Sequence, residues 1–430
     1  MSAHESPPTK SPWSFVPTLY TNQGLAYFVV QAATTTYFKI LGVPVADIGR
    51  YASDLTLPWM LKPLWSPLID LFGTKRGWLI LSAVATSLAI AALAWAIQGP
   101  DPVTHVALAC LMIAVAGASN DIATDGFYIL ALTKHDQEFF VGARSAAFRI
   151  GRIAVMGGAI GIAGWLKAGD DGNTAHAWSL AFGACALVYA LSTVWHFAAL
   201  PRPSNDAPTR RSGIGWNDFV ESLQAYFARP GIVGGIAFIL LFRLGESLLT
   251  PMLAPFLLTE RAKDGVGLNE LDVAFIYGTV GVVALVAGGI LGGMWIARVG
   301  LKRALLPCAL ALHVPNLLYA WAATAHFERS AITAVIGVEQ FGYGLGFSAY
   351  MAALLALSRG TRFSTTHYAI STGIMALSAW LAGRYSGDMV EWLGFGRFFW
   401  VVCTLGVVGL ATLPFFPHED SQASARPITG

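Results

Sequence analysis

Asp70-Leu-Phe-Gly73-Thr-Lys75-Arg76 leads straight into 77–98, an apolar run with no charged residue. A helix needs about 20 mostly apolar residues to cross the hydrocarbon of a bilayer, and this run supplies them. The short turn before it holds two cations. An apolar segment, a basic turn and another apolar segment form the pattern of a helical membrane protein. The rest of the 430-residue chain repeats it. Hydrophobic residues make up 55%, charged residues only 12%, and mean hydropathy is +0.58. A soluble domain carries about twice that charge. Disorder, collagen, a coiled coil and nucleic-acid binding are excluded, and a net charge of +2 gives no anionic polymer a foothold.

With Pro, Gly and charge clusters as punctuation, twelve spans emerge: 14–39, 48–72, 77–98, 104–132, 139–167, 176–200, 231–259, 270–297, 303–325, 331–357, 364–388 and 393–416. The apolar runs are continuous rather than alternating, which predicts an α-helical bundle and not a β-barrel. Cys110, Cys185, Cys308 and Cys403 each stand alone in an apolar run. They are expected as buried small hydrophobes, with no metal site and no disulfide framework. The polar start lacks the basic region of a cleaved signal peptide, so the first run is expected to remain as a span.

Loop cations set the orientation. Lys75, Arg76, Lys134, Arg202, Arg210, Arg211, Arg229, Arg298, Lys302, Arg303, Arg359 and Arg362 fall on one side, about twelve in all. Arg50, Lys167, Arg261, Lys263 and Arg329 fall on the other, about five. The rich side is read as cytoplasmic, with both termini there. The expected organisation is a cytoplasmic tail 1–13, a six-helix bundle 14–200, a cytoplasmic linker 201–230, a second six-helix bundle 231–416 and a cytoplasmic tail 417–430. Residues 216–229 predict a short amphipathic helix on the membrane surface; a plain solvated linker is the other reading.

The basic turn has an echo. Ala297-Arg-Val-Gly300-Leu-Lys302-Arg303 follows the eighth span as Asp70 to Arg76 follows the second. Glycine and the basic pair match in both. Together with span count and linker, this predicts a duplicated six-helix unit. Glycine permits the tight turn, and the cations can cap the preceding carbonyl end. Asp70, Gly73, Lys75, Arg76, Gly300, Lys302 and Arg303 are read as a conformational latch. Arg144, near the cytoplasmic end of its span, is grouped with them as a gate or a lipid-facing anchor.

Ser66-Pro-Leu-Ile-Asp70-Leu-Phe-Gly73-Thr-Lys75-Arg76 resembles the loop motif of the major facilitator superfamily. Leu61-Lys62-Pro-Leu-Trp65-Ser-Pro67 resembles its AmpG-like branch, which includes muropeptide permeases and acetyl-CoA transporters. Ala118-Ser-Asn-Asp121-Ile-Ala-Thr-Asp125, Phe242-Arg243-Leu-Gly-Glu246, Glu339-Gln-Phe-Gly-Tyr-Gly-Leu-Gly and Phe363-Ser-Thr-Thr-His367 carry the similarity along most of the chain. The resemblance implies an all-α integral membrane protein of twelve helices in two pseudo-symmetric six-helix bundles. It also implies that helices three, six, nine and twelve lie outside and the rest line a central cavity. The implied activity is transport of a cell-wall fragment, an anhydro-muropeptide, inward with protons across the inner membrane.

A charge at mid-bilayer costs at least ~2.5–3.5 kcal/mol, so it is expected to face a cavity or a partner. Helices three, nine and twelve carry almost none. Asp121 and Asp125 share one face of helix four at i,i+4; Arg243 and Glu246 share one of helix seven at i,i+3. Asp121, Asp125, Glu246 and Glu339 are the proton-coupling candidates, since a poised carboxyl can bind and release a proton. A static ion-pair lattice between helices four and five is the competing reading for the aspartates. Lys62, Arg149, Arg152, Arg243 and Arg384 are candidates for an anionic substrate, because guanidinium groups hold carboxylates bidentately. Gln31 is a candidate for its polar groups. His367 is expected to cap helix eleven.

No glycine-rich stretch carries a nucleotide signature; helix packing is expected instead. The partners expected are a small-molecule substrate, protons and the lipid bilayer, with no cofactor, metal or nucleic acid, and the chain is expected to be a monomer. Another anionic cargo, such as a siderophore, a peptide or a CoA thioester, stays open. So does a membrane-embedded enzyme using Asp121 and Asp125 as acid and base.

Overall fold

Helix three, Lys75–Ala96, shows how the basic turn starts a span. Gly73 bends the chain with φ +63°, and Thr74 follows in extended backbone. The Thr74 hydroxyl accepts from the Gly77 N–H at 2.9 Å. The Asp206 carboxylate accepts the Lys75 and Arg76 N–H groups at 2.7 and 3.0 Å. Three otherwise unpaired N-terminal donors are thereby satisfied, and an anion sits at the positive end of the helix. The 22 residues then rise about 33 Å. Helix four, Pro102–Ala131, starts on an Asp101 cap with proline at its first position, and helix six, Thr174–Ala199, on an Asn173 cap.

The computed structural model describes residues 10–43, 51, 54–169, 173–207, 216–268, 270–325 and 327–416. Residues 1–9 and all of 417–430 in the two tails, with Arg50, Arg210 and Arg211 of the charge pattern, lie outside the described residues. Among the described residues the regular structure is helical. Nine of these helices are long and apolar enough to cross a membrane. Helix one, Val16–Phe28 continuing through a π-turn Val29–Ala33 into Thr34–Ile40, falls outside that count. Helix two does too, because Pro58, Pro63 and Pro67 divide it into Leu57–Leu61, a tight turn Lys62–Leu64 and Ser66–Leu71. Ser364–Ala411 counts once but holds helices eleven and twelve, separated at Gly394 with φ 73° and ψ 163°. These readings restore the twelve segments of the sequence. The linker carries the helix Trp216–Phe227.

The chain forms two compact units. The first joins Met1–Thr133, Arg144–Phe219 and Gly360–Ile370; the second joins Lys134–Ala143, Val220–Arg359 and Ser371–Gly430. Each unit therefore takes in one short segment from across the linker. Each has its own core: Val29, Ile90, Leu93, Cys110, Ile113 and Phe182 in the first, Leu249, Phe256, Ile276, Ile336, Phe398 and Phe399 in the second. All four cysteines are free.

Glycine sets the helix spacing in the second unit. A Cβ on Gly342 would stand 1.9 Å from the Ala311 carbonyl oxygen, and one on Gly288 2.1 Å from that of Phe341. Helices eight, nine and ten thus meet backbone to backbone, the packing expected where lipid is as apolar as leucine. The echo is structural as well: Gly300, like Gly73, has positive φ, +81°. Its surroundings differ, because Lys302 and Arg303 are exposed whereas Lys75 is buried.

Candidate functional site

Helix four brings its two aspartates to separate cations. Asp121 pairs with Lys62 of helix two, whose side chain is buried despite the short, proline-broken helix that carries it. Asp125 pairs with Arg144 of helix five at 2.7 Å, both buried. The Tyr20 hydroxyl donates to the same carboxylate oxygen at 2.8 Å. The Arg144 guanidinium lies 4.3 Å from the ring centroids of both Tyr20 and Tyr128 and donates to the Tyr368 hydroxyl at 3.2 Å. Helices one, four, five and eleven thus meet on one ion pair inside the first unit. Buried charge persists only when paired and hydrogen-bonded, and here aromatic faces complete the shell. This removes the lipid-facing alternative for Arg144, whose guanidinium is buried on Asp125, and leaves the gate reading as it stood.

The basic turn is gripped from the start of helix eleven. Asp70 Oδ1 pairs with Lys75 Nζ at 2.9 Å. Asp70 Oδ2 accepts the Thr366 N–H and the Thr366 hydroxyl, both at 2.7 Å. A carboxylate thereby meets one of the free N–H groups at a helix N-terminus. Lys75 Nζ also donates to the Ile69 carbonyl at 3.2 Å, capping the preceding helix end. Arg76 instead reaches the Phe197 carbonyl of helix six at 2.8 Å. The second copy of the motif has Ala297 where the first has Asp70.

The second unit holds its own polar cluster. Glu246 and Glu339 are each 1% exposed. Asn316 Nδ2 donates to Glu246 Oε1. The Tyr319 hydroxyl and Gln340 Nε2 donate to Glu339 Oε2, both at 2.9 Å. Among the described residues neither acid forms an ion pair, although the Arg243 charge acts on Glu246. Arg243 is the N-cap of the helix that carries Glu246, and its carbonyl accepts the Ser247 N–H at 2.8 Å. Arg243 turns to Tyr343, donating to its hydroxyl, and lies 4.7 Å from the Phe347 centroid.

The remaining candidates do not gather at these clusters. Gln31 donates to Thr56 at 2.8 Å. Arg149 is half-buried. Arg152 and Arg384 are exposed, their guanidinium carbons 5.6 Å from the Phe28 ring and 5.9 Å from that of Trp380. His367 is buried at the start of helix eleven, its Nδ1 3.3 Å from the Thr361 hydroxyl. Tyr20, Tyr368, Thr366, Asn316 and Tyr319 were not foreseen. Asn316 had a signal: an amide directly after Pro315 in a span with no Asp, Glu, Lys or Arg after Arg303. The tyrosines had none, since aromatic residues are common throughout the chain. Among the described residues no group of three His, Cys, Asp or Glu side chains could hold a metal ion.

A family model described as Major Facilitator Superfamily matches residues 18–364. The chain belongs to the major facilitator superfamily. It is a multi-pass membrane transporter rather than an enzyme, and the acid–base reading of Asp121 and Asp125 is set aside. Both are instead ion-paired. The chain is 26% identical over 397 residues to the anhydromuropeptide permease of Escherichia coli K12, covering 91% of this chain and 76% of the permease. It is 27% identical over 410 residues to an uncharacterised Haemophilus influenzae protein, covering 91% of each. Among solved major facilitator structures it superposes on the E. coli fucose:proton symporter FucP with TM-score 0.74, at 12% identity and 95% and 98% coverage of this chain and of FucP. On the proton:xylose symporter XylE the TM-score is 0.71, at 13% identity and 94% and 96% coverage. Major facilitator architecture, twelve helices in two pseudo-symmetric six-helix bundles, is the fold class read from the sequence.

Proposed function

We propose that this transporter imports anhydro-muropeptide-type cell-wall fragments with protons by alternating access, in the inner membrane with both termini cytoplasmic. The observation that carries the cargo is similarity to the anhydromuropeptide permease along 91% of the chain. The excess of loop cations on one side supports the orientation. In this reading the 14–200 and 231–416 halves move against each other. Asp70, Lys75 and Thr366 form a latch that must open when the cytoplasmic ends of helices two and eleven part. Asp125 and Arg144 form a buried ion pair in the first unit. Glu246 and Glu339, held only by neutral donors, can take up a proton without breaking an ion pair. Arg243, half-buried in the second unit, offers a guanidinium group to an anionic cargo, and Arg152 and Arg384, each exposed in its own unit, are further candidates.

Counterflow in proteoliposomes tests this. Vesicles loaded with anhydro-muropeptide should accumulate labelled anhydro-muropeptide, and an inward proton gradient should drive uptake in unloaded vesicles. Counterflow with a siderophore, a peptide or acetyl-CoA, but not with anhydro-muropeptide, would replace the cargo and keep the transporter.

A further inference from the structure

Asn316 Nδ2 donates to Glu246 Oε1, which leaves one oxygen on each partner. Glu246 Oε2 and Asn316 Oδ1 are both fully buried, and neither has a hydrogen-bond partner among the described residues. Leaving a buried acceptor unpaired costs about 1–3 kcal/mol, and here two lie in one contact. With Glu246 ionised, both are acceptors and cannot bond each other. One added proton changes that. On Oε2 it makes a donor, and Oε2–H···Oδ1 beside Nδ2–H···Oε1 closes a cyclic acid–amide pair that satisfies all four atoms.

We propose that Glu246 and Asn316 form this pair and constitute the proton-carrying site of the second unit, with Asn316 the positioning residue. The inference rests on the proton-coupled reading above and names the group that carries the proton. Uptake from water adds the proton to Oε2 and forms the second hydrogen bond. Release to water breaks that bond and leaves a carboxylate held by Nδ2–H alone. No electrons move. The titratable and charged groups facing Glu246 are Arg243 on its own helix, Glu339 on helix ten, Tyr319 on helix nine and Cys403 on helix twelve. His313, buried against Phe242 at 5.4 Å between centroids, faces Arg243. Helix nine holds both acids, through Asn316 and through Tyr319 three residues on. Charge on Glu339 therefore opposes charge on Glu246 across a fixed distance.

Infrared difference spectroscopy on the full chain in lipid nanodiscs reads the proton directly. The wild type should show a carboxylic-acid carbonyl band that shifts in deuterium oxide. Glu246→Gln should remove it and Asn316→Ala should move it. In proteoliposomes Glu246→Gln, a permanent mimic of the protonated pair, should retain counterflow and lose at least tenfold in gradient-driven accumulation. A wild type without a band assignable to Glu246 overturns the proposal, as does undiminished accumulation by Glu246→Gln. A sodium-dependent rise in the wild-type unfolding temperature, lost in Glu246→Gln and with no acid band, overturns it in favour of a cation between the same oxygens. If Glu246→Gln does not fold, the Asn316→Ala shift decides. The band with no counterflow for anhydro-muropeptide would sustain the proton site and remove the cargo.

Discussion

Arg144 and Asp125 are joined at 2.7 Å inside the first unit, with the guanidinium between two tyrosine rings. A buried pair of this kind is costly to break from one side, because the survivor keeps its charge without a partner. Arg144→Ala is expected to lower stability by about 3–5 kcal/mol. Arg144→Lys keeps the charge but not the flat stack. The double variant Asp125→Asn/Arg144→Gln should be less damaged than Arg144→Ala. Thermal unfolding of the three in detergent checks the order, and a double variant worse than the single would contradict it.

The Asp70–Thr366 contact makes a graded prediction. Thr366→Val removes the hydroxyl bond but keeps the backbone N–H, a loss of about 1 kcal/mol. Asp70→Ala removes the hydroxyl bond, the backbone bond and the Lys75 ion pair together and should lose more. Unfolding midpoints should fall in that order. Equal effects would show that the backbone bond and the ion pair contribute nothing.

Glycine packing gives a steric test. Gly342→Ala puts a Cβ 1.9 Å from a backbone carbonyl, while a Cβ on Gly183 meets nothing within 4 Å. Gly342→Ala should sharply reduce the yield of folded protein and Gly183→Ala should leave it unchanged. Size-exclusion profiles of the two variants distinguish them. A monodisperse Gly342→Ala at wild-type yield would mean that helices nine and ten are not this close.

Arg243 makes a prediction about cargo. Its guanidinium is half-buried against Tyr343 and Phe347. Arg243→Ala should weaken binding of an anionic anhydro-muropeptide at least tenfold more than binding of a neutral analogue. Equal losses for both, measured by competition in counterflow, would assign Arg243 to packing.

The twelve spans and the echoed turn were legible because apolar length and glycine position are local properties of the chain. Gly73 and Gly300 both take the left-handed backbone that their shared motif requires. Partners were less legible. Asp121 and Asp125 share a helix face, yet each answers to a different helix, two and five, and no spacing within helix four encodes that. Arg243 stands at the start of the helix that carries Glu246, yet its guanidinium donates to Tyr343 of helix ten, a partner that no spacing within helix seven encodes. Asn316 and Tyr319 lie on a helix read as almost free of charge and, by resemblance, external, and they hold the two buried glutamates through neutral groups. A search for charges could not find them.

The most direct measurement of the central claim is uptake of labelled anhydro-muropeptide by proteoliposomes under an imposed inward proton gradient, with and without a protonophore. The account predicts accumulation above the external concentration that the protonophore abolishes, alongside counterflow that survives it. Accumulation that the protonophore leaves untouched, or no anhydro-muropeptide movement in either assay, would contradict it.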